Sequence, residues 1–141
     1  MQLSTNKTAE KLFNAWNSHD AEGVLNIYHD DFVREDVGNH QVYGKDKLMH
    51  VVTNYLSAFP DLHFTVDNLV GKKSEVVVCR TASGHHKGKI MNIPATGKFI
   101  SLKGVSVLNL ENHLIKRVWY LWYQAAMLRQ MGLLPELHHA F

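Results

Sequence analysis

At 141 residues the chain is sized for one compact domain burying roughly two thirds of the surface its unfolded form exposes, so a single domain over residues 1–141 is expected. Fifteen Lys plus Arg against thirteen Asp plus Glu leave a formal net charge of +2, far short of the basic footprint that phosphate backbones require, which argues against a nucleic-acid partner. The first residues lack an apolar run with a cleavage site, and no stretch approaches the ~20 apolar residues of a membrane span. A soluble cytoplasmic protein without a membrane partner is therefore expected. Cys79 lies in the apolar run from Val76 and reads as a core residue that has no internal disulfide partner.

In chain order, Ser4 or Asn6 is placed to cap a first helix, whose Ala9, Leu12, Phe13 and Trp16 repeat at the spacing of one buried face. It ends near Ser18-His19. Asp20 offers a new cap for a shorter helix carrying Val24, Leu25, Ile27 and Tyr28, which His29-Asp30-Asp31 interrupts. Phe32 to Glu35 reads as a short strand, followed by a polar turn around Gly38-Asn39. Gly44 opens a third helix with Leu48, Val51, Val52, Tyr55 and Leu56 on one face, and Pro60 forces its end.

From His63 the period changes to two. Strands are expected at Phe64 to Val70, Glu75 to Ala82, Phe99 to Leu110 and Leu114 to Tyr123, separated by Gly71-Lys72-Lys73-Ser74 and Glu111-Asn112-His113. Runs this close, with no helix between them, pair mostly antiparallel, because parallel neighbours need a longer crossover. A last short helix is expected at Gln124 to Met131, and the tail with His138-His139 should fray. The pattern defines an α+β class: three N-terminal helices packed on an antiparallel sheet.

Four signatures stand in fixed order: Phe59-Pro60-Asp61-Leu62, Gly84-His85-His86-Lys87-Gly88, Ile93-Pro94-Ala95-Thr96-Gly97, and Trp119 followed by Gln130-Met131-Gly132. Over roughly Ala9 to Leu134 the chain thereby resembles the SnoaL-like polyketide (ester) cyclase family, within the nuclear transport factor 2-like superfamily. The resemblance implies a strongly curved sheet forming a cone with an internal pocket, and commonly a homodimer through the exposed sheet face. It departs at two places. Four residues after Trp119, where the family carries its acid/base aspartate, this chain has Tyr123, and where the family usually reads His-Asp it has Glu35-Asp36.

Side chains alternate along a strand. With the family's aspartate pointing into the cone, Trp119, Leu121 and Tyr123 should point inward too, as should Arg80 with His86, the residue matching the family's histidine. An inward Glu35 would restore a carboxylate whose pKa rises in an apolar pocket; otherwise it pairs with Arg80 or reaches solvent. The candidate catalytic residues are thus His86, Glu35 and Tyr123, with Glu35 or His86 as base and His86 and Tyr123 as donors to developing oxygen charge. Tyr123, a poor base at neutral pH, alternatively fills the space above Trp119. Trp16, Tyr28, Tyr55, Phe59, Arg80, Trp119 and Leu121 are the candidate substrate-binding residues. Asp61 is expected to bond nearby backbone amides at a helix-to-strand corner, and Pro94 to Gly97 forms a hairpin tip or a flap.

The ten histidines fit no metal-site spacing, and neither metal nor cofactor is expected. By resemblance the function is cofactor-free proton abstraction and aldol-type closure of a small, largely apolar carbonyl compound, with a hydrophobic or aromatic molecule as partner. The competing expectation is a non-catalytic small-molecule-binding or protein-interaction domain, which the missing aspartate favours.

Overall fold

The computed structural model describes residues 2–36 and 41–135. Helix α1 (Gln2–Asn17) begins before Ser4 and Asn6, so neither is its cap. It ends in a Schellman turn: His19 takes φ +57° and donates to the Trp16 carbonyl, while Asp20 N–H reaches the Ala15 carbonyl. Asp20 then caps α2 (Ala21–Leu25), accepting from the Gly23 N–H at 2.9 Å. This helix stops sooner than its apolar pattern suggests, because Tyr28 already opens strand β1 (Tyr28–Asp36). The polar turn expected around Gly38-Asn39 lies outside the described residues, as do His138-His139. Strand β2 (Gln41–Gly44), too short to show a period, pairs antiparallel with β1, and Gly44 precedes α3 (Lys45–Ala58), which buries Leu48 and Val52.

The remaining strands are β3 (His63–Lys72), β4 (Glu75–His85), β5 (Phe99–Glu111) and β6 (Leu114–Trp122), followed by α4 (Gln124–Gln130). Asn112 and His113 both take positive φ, which matches the right-handed twist of the β5–β6 hairpin they join. The six strands among the described residues form one open sheet in the order β2-β1-β6-β5-β4-β3. The sheet is mixed rather than purely antiparallel, since β1 runs parallel to β6 with Glu35 opposite Trp119. The short-connection argument could not reach this pair, because the whole of the remaining sheet lies between them in sequence.

Register shifts between Val66 and Asn68 and between Asn109 and Leu110 insert bulges that bend the strands. Helices α1 and α3 cover one sheet face. The core fills the space between them: Leu12, Phe13, Trp16, Leu48 and Val52 from the helices meet Val76, Val78, Ile100, Leu108 and Val118 from the strands. Cys79, expected in the core, sits half-buried on the opposite sheet face. Among the described residues no helix is long and apolar enough to cross a membrane.

A candidate ligand cavity with two arginines

Beyond this core a cavity of about 100 Å³, open on one side, lies between the helices and the inner sheet face. Trp16, Tyr55 and Phe59 wall it from the helical side; Phe64, Ile100, Leu102, Tyr120 and Trp122 wall it from the sheet. Its charged lining groups are Arg34 of β1 and Arg80 of β4. Of the residues expected to bind a substrate, Trp16, Tyr55, Phe59 and Arg80 line this cavity. Tyr28 is not among the lining residues: it is buried edge-on against Phe32, ring centroids 4.5 Å apart.

The last strand has the opposite parity to that expected. Tyr120 is 6% exposed and Trp122 lines the cavity, whereas Trp119, Leu121 and Tyr123 are 39%, 48% and 56% exposed. Both parities of this strand are apolar, so alternation alone could not choose between them, and Tyr123 lies past its end as the residue preceding α4. Arg129 takes up the Tyr123 hydroxyl at 3.1 Å. The same inversion holds on β1, where Arg34 lines the cavity and Glu35 is exposed. Of the expected catalytic set, neither Glu35 nor Tyr123 enters the cavity.

His86 is inward but buried completely and absent from the lining. Its ring packs 5.5 Å from that of Phe59. Nδ1 accepts the Thr96 N–H at 3.2 Å and meets the Thr96 hydroxyl at 3.0 Å, so a neutral ring carries its proton on Nε2, which has no partner among the described residues. The His86 backbone pairs with Gly97 and Lys98. His86 therefore fastens the 87–98 loop to the end of β4; the bridged turn of this loop falls at Ile90 to Ile93, so Pro94 to Gly97, expected as a hairpin tip or a flap, leads from that turn back to β5. Asp61 does bond a backbone amide: Oδ1 accepts the His85 N–H at 2.7 Å and Oδ2 meets His85 Nδ1 at 2.6 Å.

Arg34 and Tyr120 are cavity residues that sequence reasoning missed. The signal was present in β4, where Val76, Val78 and Arg80 share one buried parity, but β1 offers too few apolar residues to show which side is inward. The two guanidinium carbons lie 3.9 Å (Arg34) and 5.4 Å (Arg80) from the centroid of the Tyr120 ring, and Arg80 also faces Phe64 at 5.5 Å. Arg80 Nε donates to Ser106 Oγ at 3.3 Å. Gly104 makes room for it, since a Cβ there would come within 2.7 Å of an Arg80 terminal nitrogen.

Burial pushes the Arg80 pKa down, Tyr120 offsets part of this, and the like charge of Arg34 adds to the fall. Burial acts the same way on Arg34, but the phenols of Tyr120, Tyr43 and Tyr28 more than offset it and the net shift is upward. Burial raises the Tyr28 pKa above the ordinary phenol value. Both guanidiniums remain cations at pH 7. Among the described residues no group of three or more His, Cys, Asp or Glu converges to hold a metal ion.

Helices on one face of an open, bent sheet, with a side cavity lined by aromatics and two cations, define an α+β protein with a cavity between its two layers. The sequence matches the SnoaL-like polyketide cyclase family over residues 6–131, and the chain belongs to that family. No curated protein matches the sequence. Among solved structures, AclR from Streptomyces galilaeus, a candidate hydroxylase, is similar with a TM-score of 0.89 at 21% identity, over 98% of this chain and 87% of that one. TsrD from Streptomyces laurentii is similar at 0.85 and 24%, over 95% of this chain and 98% of that one. IdmH from Streptomyces antibioticus, a candidate polyketide cyclase, follows at 0.80 and 23%, over 91% and 98%. At these identities the likeness shows a shared fold.

Proposed function

We propose that the cavity binds a small, flat, largely apolar carbonyl compound and promotes its enolisation and aldol-type ring closure without a cofactor. The observation that carries this reading is the convergence of Arg34 and Arg80 on one aromatic-walled cavity. Flat apolar walls orient the compound, and guanidinium donors are suited to the oxygen on which charge develops. The C–H bond next to the carbonyl breaks, its proton leaves to water at the open side, and the electron pair moves onto the carbonyl oxygen beside Arg80. The enolate carbon then attacks a second carbonyl of the same folded chain, whose oxygen is protonated to the alcohol. A carbon flanked by two carbonyls is acidic enough to need no strong base once its enolate is stabilised.

No carboxylate stands among the described lining residues, and this favours a second reading, a carrier that binds without turnover. The exchange of the single central proton of a 2-alkyl aryl β-keto ester into D₂O, followed by NMR, separates the two. Catalysis predicts acceleration over buffer that falls about tenfold or more in Arg80→Gln, the loss of one charge-assisted donor. Exchange at the buffer rate, with binding established by chemical-shift changes, leaves the carrier. The exposed outer face bearing Trp119 and Leu121 supports the further proposal that the chain forms a homodimer through its sheet.

A further inference from the structure

Two cations stand in an apolar cavity, and the compensation that the described residues offer them is incomplete. Arg80 is 9% exposed, and its assigned hydrogen bond goes to a neutral hydroxyl at 3.3 Å. Arg34 Nε is buried with no hydrogen-bond partner among the described residues. The ion pairs formed by described residues all lie elsewhere, joining histidines and lysines to surface carboxylates such as Asp30, Asp61 and Glu111. The aromatic faces of Tyr120 and Phe64 offset part of the desolvation cost, but two like charges over one ring still repel each other.

We infer that the ligand of this cavity carries a permanent negative charge of its own: a flat, mostly apolar carboxylic acid, bound as its carboxylate in preference to its ester. A transient enolate supplies charge only during turnover, whereas these guanidiniums are buried at rest. A planar guanidinium matches a carboxylate with two parallel hydrogen bonds, and the walls of Trp16, Phe59 and Trp122 suit a flat apolar body. A more highly charged, fully hydrated anion such as phosphate gains nothing from those walls. The inference rests on the cavity being the ligand site proposed above, but it does not rest on turnover.

Calorimetric titration with 2-naphthoate, methyl 2-naphthoate and 2-naphthamide in low-salt buffer tests it. The carboxylate should bind about tenfold or more tightly than either neutral isostere. Arg80→Gln and Arg34→Gln should each remove most of that preference, lowering 2-naphthoate affinity far more than 2-naphthamide affinity, and the remaining 2-naphthamide binding shows that the variant cavity is intact. If a variant does not fold, the wild-type comparison still decides. Equal binding of acid, ester and amide overturns the inference and leaves a neutral-ligand pocket standing; binding of none overturns both. Tight carboxylate binding without proton exchange removes the catalytic reading alone. Asp36 lies opposite Tyr120 on β1, so Asp36→Asn asks whether the chain supplies the counter-charge. Unchanged 2-naphthoate affinity supports the inference, and a tenfold gain in that variant overturns it.

Discussion

Arg34 and Arg80 reach the same ring from different strands, and each depends on a neighbour chosen for size or polarity: Gly104 leaves space for the Arg80 head, and Ser106 accepts its Nε–H. Arg80 was legible as an inward residue because its strand alternates clearly. Glu35 attracted attention as a carboxylate, yet its neighbour Arg34 occupies the cavity, a one-residue shift that turns a strand's chemistry over. At the Phe59-Pro60-Asp61-Leu62 corner, the His85 ring and then the His85 backbone N–H hold the Asp61 carboxyl below its usual pKa. A depressed folded pKa contributes stability that is present above the unfolded value of ~3.9 and is lost as pH falls through the folded value. Asp61→Asn should therefore lower the melting temperature at pH 7, and the gap to wild type should shrink between pH 5 and about pH 3. Because the side chain is half exposed, the effect is modest. A gap that widens on acidification would contradict the assignment.

Among the elements, those built from local chemistry were the legible ones. The Asp20 cap, the buried faces of α1 and α3, the Pro60 stop and the Asn112-His113 turn each follow from a few adjacent residues. The parallel pairing of β1 with β6 and the direction of β6 depend on contacts remote in sequence, and β6 is apolar on both sides. The Gly84-His85-His86-Lys87-Gly88 segment shows how a motif can serve an element's position. Lys87 and Gly88 both donate to the Ala58 carbonyl at the end of α3, at 2.9 and 3.0 Å. A Cβ at Gly88 would stand 2.7 Å from the Ser57 carbonyl oxygen and 3.0 Å from Ala58 Cα, both fixed backbone. Gly88→Ala should cost about 1–3 kcal/mol by urea unfolding, as overpacking does. Stability within a few tenths of wild type would mean that this docking is looser than the contacts indicate.

For the molecule as a whole, one sheet face carries the core and cavity while the other is left with apolar side chains in reach of solvent: Val33, Trp119 and Leu121 on the paired β1 and β6, beside the half-buried Val105 of β5. A continuous patch of this kind is unusual on a monomer. Sedimentation velocity should find a species of twice the 16.1 kDa chain mass, and Trp119→Arg with Leu121→Arg should return it to a monomer that still binds 2-naphthoate. A monomeric wild type would assign the patch to another partner. The family and its layered architecture were legible from motif order, while the identity of the inward side chains, and with it the chemistry of the cavity, required the three-dimensional register.

All of this turns on the cavity around Arg34, Arg80 and Tyr120 being where a ligand sits. A crystal structure of the protein with 2-naphthoate tests that claim most directly. The rings should lie between Trp16, Phe59 and Trp122, with the carboxylate within about 3 Å of the Arg80 or Arg34 guanidinium. Naphthoate seated on the outer sheet face, or inside the cavity with its carboxylate turned away from both arginines, would contradict it.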